Sequence, residues 1–255
     1  MRLIRFQTAK EPAQFGWINN NLVGRIDGSP FSEFQRAEAT LPLDTVQLLA
    51  PIIPGKIICV GKNYAEHAKE MISEIPTTPL LFFKPPSSVI GPQQTIFLPP
   101  QSQQIDHEAE LAVVIGKRGR WIAPDESSNY IFGYTVGNDV TARDLQRKDG
   151  QWTRSKGFDT FCPLGPWIET EFNPVDAMIT CHVNGELRQM ASTHDMIFHI
   201  DQLIAFISSI MTLEPGDIIM TGTPAGISPL QQGDIVEVAI EGIGKLQNPV
   251  EIESH

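Results

Sequence analysis

The 255-residue sequence predicts a β-rich α+β fold, and three observations point to it. Glycine and proline number 20 each, so residues that form turns are frequent along the chain. Most apolar segments are short and lie between such residues, which is typical of strands. Met196–Met211 carries the clearest helical spacing of apolar residues, and we expect few other helices.

The amino-terminal part predicts a three-stranded meander. Its alternating apolar segments are Leu3–Phe6, Phe15–Ile18 and Leu22–Ile26. The run Asn19–Asn21 should form the turn between the last two strands, because asparagine tolerates the left-handed conformation. We expect Thr45–Leu49 to form a short helical turn before the chain enters the larger part of the protein.

From Lys56 onward the sequence predicts a larger unit of strands with a short helix at Tyr64–Met71. Glu108–Ile115 alternates and then becomes wholly apolar, which is typical of a half-buried strand that enters a core. The predicted strands are Ile57–Val60, Leu80–Lys84, Glu108–Ile115, Tyr130–Val136, Asp217–Thr221 and Asp234–Ile240.

Composition and charge exclude several classes of partner. The formal net charge is −11, which argues against nucleic-acid and anionic-membrane surfaces, because both need clustered lysine and arginine. No apolar run is long enough to span a bilayer, and the first residues lack the pattern of a signal peptide. Cys59, Cys162 and Cys181 are widely separated, so we expect reduced thiols in a cytoplasmic protein.

The strongest chemical signal is the pair Glu108 and Glu110. Alternate residues of a strand share a face, so both carboxylates project to the same side. Two such carboxylates repel each other unless a cation lies between them. Oxygen ligands suit a hard cation such as Mg²⁺, Mn²⁺ or Ca²⁺. The alternative is a solvated edge strand that carries two surface glutamates.

A second segment offers a third carboxylate. An apolar strand ends at Asp139, which is placed to complete a metal site. Arg143 and Gln146 follow one helical turn further on and are candidates to face a carboxylate substrate. The alternative is an Asn–Asp turn that caps a helix, with Arg143 in a surface ion pair.

Three further signals are weaker. His67 and Glu70 are neighbours on a helix surface, and a carboxylate beside an imidazole favours a general base; the alternative is an exposed helix face. Lys156 lies in a polar and aromatic segment, and its alternative role is that of a surface lysine. Thr221–Gly226 follows a strand and is suited to present backbone N–H groups and a hydroxyl to an anion.

Taken in order, these segments resemble the fumarylacetoacetate hydrolase family from about Lys56 to Val250. Each block alone is modest evidence, whereas their joint order is specific. The blocks are Gly61–Tyr64 with His67 and Glu70, Lys84-Pro85, Glu108 and Glu110-Leu111, Gly133–Arg143 with Gln146, Lys156–Phe161, Leu164–Pro166, Leu213 with Pro215–Asp217, and Thr221–Gly226.

The resemblance implies a mixed β-sandwich-like roll with a small amino-terminal domain, residues 1–52, before a catalytic domain at 53–255, usually as a homodimer. It implies Mg²⁺ or Mn²⁺ as the cofactor, with Ca²⁺ as an alternative. It also implies three groups of site residues: Glu108, Glu110 and Asp139 as metal ligands; His67 and Glu70 on a lid helix with Lys156 beside the metal as catalytic residues; Arg143, Gln146 and Thr223 as substrate contacts.

The function that this resemblance implies is chemistry on a small 2-oxo acid through a metal-stabilised enolate. The longer fumarylacetoacetate hydrolases carry a different amino-terminal domain and a further metal aspartate, which favours the short branch here. That branch includes acylpyruvate hydrolases and oxaloacetate decarboxylases or tautomerases. The alternatives are an isomerase, decarboxylase or dehydratase of aromatic- or sugar-acid catabolism, and a non-catalytic, metal-stabilised binding module.

Overall fold

The computed structural model describes residues 1–253, which form twenty strands and four α-helices. The strands are β1 Arg2–Thr8, β2 Glu11–Asn19, β3 Leu22–Gly28, β4 Phe34–Arg36, β5 Leu41–Pro42, β6 Gln47–Leu49, β7 Ile57–Gly61, β8 Leu80–Lys84, β9 Val89–Ile90, β10 Ile96–Leu98, β11 Ile105–Asp106, β12 Ala109–Ile115, β13 Ile131–Asn138, β14 Thr141–Ala142, β15 Cys162–Glu169, β16 Met178–Val183, β17 Glu186–Ser192, β18 Ile218–Met220, β19 Ile235–Ile240 and β20 Gly244–Ile252. The helices are α1 Ala65–Glu70, α2 Arg143–Asp149, α3 Thr153–Lys156 and α4 Ile200–Ile210.

Two sheets account for most of the strands. The larger has the order β4-β3-β2-β1-β15-β13-β12-β18-β7-β8. Three short strands extend it, since β5 pairs with β3, β6 with β1 and β9 with β15. The smaller has the order β10-β20-β19-β16-β17. Both sheets are mixed, because β18 runs parallel to β7 and β10 runs parallel to β20, while most other pairs are antiparallel. The predicted β-rich α+β fold with mixed sheets and a small amino-terminal domain is confirmed.

The amino-terminal meander is confirmed, with β1 antiparallel to β2 and β2 antiparallel to β3. Asn20 adopts a φ of 54° in the predicted asparagine turn. The helical turn expected at Thr45–Leu49 is wrong, because a 3₁₀ turn occupies Leu43–Thr45 and the next residues form β6. β6 pairs with β1, so backbone hydrogen bonds to a neighbouring strand favour the extended form over a local helix.

β12 lies at the centre of the larger sheet, between β13 and β18. The sequence pattern predicted a half-buried strand, whereas every residue of β12 is buried. Leu111 and Val113 pack into the main core, and Ala112 and Val114 pack into a second core on the opposite face. A strand between two cores is a rigid base for the carboxylates that it carries.

The long helix is shorter than predicted, because α4 begins at Ile200 and not at Met196. The preceding residues are held extended by Asn63, which accepts hydrogen bonds from the backbone N–H groups of Ile197 and Phe198. Ile204 and Ile207 are fully buried, as the apolar spacing predicted. No helix within residues 1–253 is long and apolar enough to cross a membrane.

The buried position of β12 predicts that Leu111→Ala lowers the free energy of unfolding by about 2–5 kcal/mol, since it opens a cavity at a fully buried site. Leu187→Ala is the matched control, because Leu187 is 51% exposed on β17, and its loss should stay below about 1 kcal/mol. Urea unfolding of both variants in excess chelator measures the difference. Equal losses would contradict the central position of β12.

Candidate active site and metal centre

Three carboxylates meet where β12 begins and β13 ends. The two strands are antiparallel, and Ala109 pairs with Asn138, so Glu108, Glu110 and Asp139 converge at one end of the pair. One oxygen from each lies within 4.8 Å of the others, and all three side chains are buried. The alternative of a solvated edge strand is therefore wrong, since Glu108 is 4% exposed and Glu110 1%.

Buried cations surround this carboxylate triad. Lys156 Nζ lies 2.7 Å from Glu108 Oε2 and 2.7 Å from Asp139 Oδ2. Lys84 Nζ lies 2.6 Å from Asp139 Oδ1. Arg143 pairs with Glu108 and with Asp106, the latter through Nε at 2.9 Å. Neither Lys156 nor Arg143 is a surface residue, so the alternative surface roles of both are wrong.

Glu110 differs from the other two carboxylates because it makes no ion pair with any residue in the range 1–253. Its carboxylate accepts a hydrogen bond of 2.8 Å from the backbone N–H of Gly222. Burial, together with Asp139 and Glu108, raises the pKa of Glu110 well above its usual range. The triad therefore lacks positive charge on the side of Glu110.

Glu108 shows the opposite balance. Burial alone would raise the pKa of Glu108, but Lys156 and Arg143 outweigh it and hold that pKa far below its usual range. Lys156 stays an ammonium, since Asp139 and Glu108 raise its pKa although burial opposes them. The protein thus provides counter-charges for Glu108 and Asp139 and leaves Glu110 without one.

A hard divalent cation fits this arrangement. The three donors are carboxylate oxygens, which Mg²⁺ and Mn²⁺ prefer and which Ca²⁺ also accepts. Cys59 and Cys162 are free and buried, and burial raises the pKa of the Cys162 thiol to about 12 and that of Cys59 well above its usual range. Both thiols stay protonated and offer no thiolate, so a soft metal is disfavoured.

His67 and Glu70 form a hydrogen-bonded pair on α1. His67 Nδ1 lies 3.1 Å from Glu70 Oε2, and Glu70 Oε1 accepts a hydrogen bond of 3.0 Å from the Gly226 N–H. Burial would raise the pKa of Glu70, but these hydrogen bonds lower it, so the carboxylate stays ionised. An ionised acceptor places the imidazole proton on Nδ1 and leaves the lone pair on Nε2. His67 is 5% exposed, so the exposed-face alternative is wrong for it.

One cleft brings eight of the nine predicted site residues together, and Glu70 is joined to it through His67. The cleft is lined by Val60, Gly61, Lys62, His67, Met71, Phe82, Glu108, Glu110, Asp139, Arg143, Gln146, Trp152, Lys156 and Thr223. Charged groups of both signs therefore face apolar and aromatic side chains, which is the composition of a pocket for a small molecule with polar groups.

The predicted substrate contacts line the cleft but are also held by protein partners. Arg143 Nη1 donates to Gln146 Oε1 at 2.7 Å, in addition to its ion pairs. The Thr223 hydroxyl accepts a hydrogen bond of 2.8 Å from Gln189 Nε2. Arg143 therefore acts first as a counter-charge of the triad, and its role as a substrate contact stays a prediction.

Backbone N–H groups of the Thr221–Gly226 segment were predicted to bind an anion, and two of them bind the protein's own glutamates. Gly222 binds Glu110, and Gly226 binds Glu70. Both glycines have positive φ, +96° and +102°, and a Cβ on Gly222 would lie 2.7 Å from the Cβ of Asn63. One turn thus positions a carboxylate of the triad and the carboxylate of the histidine pair.

Sequence reasoning missed several residues that position the site. Lys84 entered only as part of a motif, although a lysine that ends an apolar strand was a usable signal. Gln189 is fully buried and links Thr223 to the backbone N–H of Ala109 at the start of β12. Asn63 donates to the carbonyl of Thr221 at 2.8 Å. Asn63 also entered only as part of the Gly61–Tyr64 motif, and Gln189 had no signal, because each amide acts across a long sequence separation.

The uneven counter-charges predict opposite effects of two substitutions in metal-free protein. Glu110→Gln should leave the free energy of unfolding unchanged or raise it, because glutamine keeps an acceptor for the Gly222 N–H and removes a repelled charge. Asp139→Asn should lower it by about 3–5 kcal/mol, because Lys84 and Lys156 lose a buried partner. Both variants should lose divalent-cation binding in calorimetric titrations.

The same experiment has a pH signature. The pKa of Glu110 in the folded protein lies above its ordinary value of 4.5, which applies to the unfolded chain. This difference stabilises the folded state below pH 4.5, and the stabilisation is lost as the pH rises through the folded-state pKa. Metal-free wild-type protein should therefore lose stability as the pH rises above about 5, and Glu110→Gln should flatten this part of the profile. Urea unfolding at several pH values in excess chelator measures it, and equal destabilisation by both variants would contradict the charge assignment.

Comparisons with known proteins match both parts of the chain to families. Residues 56–251 match the family described as fumarylacetoacetate (FAA) hydrolase, C-terminal, and residues 1–51 match the family described as Rv2993c-like, N-terminal. An uncharacterised protein of Methanocaldococcus jannaschii is 55% identical over 79% of this chain and 85% of its own length.

Two further relatives carry functional names. A mitochondrial oxaloacetate tautomerase of Bos taurus, FAHD2B, is 45% identical over 86% of this chain and 75% of its own length. The crystal structure of a 2-hydroxyhepta-2,4-diene-1,7-dioate isomerase from Mycobacterium marinum has a TM-score of 0.92 and 42% identity, and covers 100% of both chains. With a family match over most of its length and relatives at this level of identity, the chain belongs to the fumarylacetoacetate hydrolase family.

Proposed function

We propose that this enzyme transfers a proton at the carbon beside the carbonyl of a small 2-oxo diacid, with the keto–enol interconversion of oxaloacetate as its main reaction. The observation that carries the proposal is that His67, Lys156 and the carboxylate triad line one cleft. A relative named oxaloacetate tautomerase and a similar structure named as an isomerase of an unsaturated diacid support the reaction class.

His67 is the group that moves the proton in this proposal. Glu70 holds the Nδ1–H of the imidazole, which leaves Nε2 to take a proton from carbon 3 of the keto form or to return one to the enol. The reaction needs a group that can both take and return a proton, and a neutral imidazole has one nitrogen free to do so.

The cationic side of the cleft stabilises the negative charge that forms on the substrate when carbon 3 loses its proton. Lys156 carries a permanent ammonium that faces the negative charge developing on the 2-oxo oxygen. Glu108, Glu110 and Asp139 would hold Mg²⁺ or Mn²⁺, which, when bound, supplies further positive charge to the oxygens of the substrate. The homodimer that the resemblance implies stays a prediction.

Hydrolysis of an acylpyruvate is the second candidate, and the name of the matching family favours it. The same pair, His67 and Glu70, would then activate a water molecule for attack on the distal carbonyl, and the enolate of pyruvate would leave. Decarboxylation of oxaloacetate gives the same enolate without any water attack, so all three reactions share the cationic side of the cleft.

The proposal predicts that chelator-stripped protein reconstituted with Mg²⁺ or Mn²⁺ accelerates the loss of the enol absorbance of oxaloacetate without equivalent release of pyruvate. His67→Gln should lower kcat by about 100-fold or more, because it removes the proton carrier. Pyruvate release from oxaloacetate, if present, should fall less, since loss of CO₂ needs no proton removal from carbon 3.

Glu70→Gln is the companion variant, because glutamine can still accept the Gly226 N–H but no longer favours the proton on His67 Nδ1. It should also lower kcat, with unchanged divalent-cation affinity. Metal-dependent cleavage of acetylpyruvate with no effect on the oxaloacetate enol would favour the hydrolase instead. Full tautomerase activity in His67→Gln would overturn the role given to His67.

A further inference from the structure

Lys62 occupies an unusual position beside the cleft. It lies between the end of β7 and the start of α1, and it is among the residues that line the cleft. Its φ of 58° lies in the left-handed region, which costs a non-glycine residue about 1 kcal/mol. Glycine or asparagine is the ordinary choice at such a turn, so a long cationic side chain here calls for a reason in function.

Lys62 also differs from the other cations of the site in having no protein partner. Lys84, Lys156 and Arg143 are all ion-paired with buried carboxylates. The Lys62 side chain makes no hydrogen bond or ion pair with any residue between 1 and 253. Of the lysines and arginines that line the cleft, Lys62 is the one whose charge is available to an anionic ligand.

A 2-oxo diacid requires a second counter-charge. Its 1-carboxylate and 2-oxo oxygens belong at the cationic end of the cleft, which leaves a distal carboxylate beyond carbon 3. The other wall residues near β7 and α1 are apolar or aromatic and offer no charge to that carboxylate: Val60, Met71, Phe82 and Trp152. An apolar surround strengthens an ion pair that forms within it.

We propose that Lys62 binds the distal carboxylate of the substrate and makes the enzyme selective for 2-oxo diacids over 2-oxo monoacids. The inference rests on the proposed function for the placement of the 2-oxo end. It assigns to Lys62 a specificity role that is separate from proton transfer by His67. Lys69 on the outer face of α1 is paired with Glu66 instead and does not line the cleft.

The test compares two substrates that differ only at the distal group, oxaloacetate and 2-oxobutyrate. Exchange of the carbon 3 protons with deuterated water, followed by nuclear magnetic resonance, reports proton transfer for both. Lys62→Met should raise KM for oxaloacetate about 10- to 100-fold, as expected for a lost charge-assisted hydrogen bond, and leave 2-oxobutyrate unchanged. Lys62→Arg should retain most of the preference, and Lys69→Met is the charge-matched control.

Each outcome decides the matter. Two results would overturn the specificity role and leave the proposed proton transfer intact. One is an equal change in KM for oxaloacetate in Lys62→Met and Lys69→Met. The other is an equal loss of exchange activity toward both substrates in Lys62→Met. If the wild type exchanges the carbon 3 protons of neither substrate, the proposed function fails. Binding of each substrate, measured by tryptophan fluorescence, then tests the role of Lys62, since Trp152 lines the cleft. Tighter binding of oxaloacetate that Lys62→Met abolishes would support Lys62; no preference for oxaloacetate would overturn it.

Discussion

Mutual repulsion of three buried carboxylates is the constraint on which the rest of the site depends. Charges that are removed from water and held within 4.8 Å of one another need positive partners close by. The fold brings Lys84 from the end of β8, Arg143 from the start of α2 and Lys156 from the end of α3 to the same point. These partners pair with Glu108 and Asp139 and leave Glu110 without a counter-charge, so the triad could hold a divalent cation on the side of Glu110.

A second constraint joins the triad to the histidine pair. The turn at Gly222 and Gly226 offers one N–H to Glu110 and another to Glu70, so the two halves of the site share one piece of backbone. Buried amides fix that turn, with Asn63 on the carbonyl before it and Gln189 on Thr223 inside it. A shift of this turn therefore moves the carboxylates of Glu110 and Glu70 together.

Much of this was within reach of the sequence, and what was missed has a common cause. The strand that carries Glu110 and the strand that ends just before Asp139 were visible because period-two alternation and apolar runs are local signals. The convergence of the site residues was expected from a resemblance to a family, since the residues alone left a structural alternative open for the carboxylates, for Arg143, for the histidine pair and for Lys156. Local patterns did not reveal Gln189, because its bonds span 34 residues to Thr223 and 80 to Ala109. The first turn of the predicted long helix was wrong for the same reason, since the segment before α4 is held by a loop more than a hundred residues away.

We infer that the triad, together with its uneven counter-charges, binds one divalent cation. Anomalous diffraction from crystals of the protein grown with Mn²⁺ tests it most directly, because it locates the ion without any assumption about activity. The account predicts a single strong peak in contact with one oxygen each of Glu108, Glu110 and Asp139, with the ion pairs of Lys84 and Arg143 retained. A peak elsewhere, or an empty triad at saturating Mn²⁺, would contradict it.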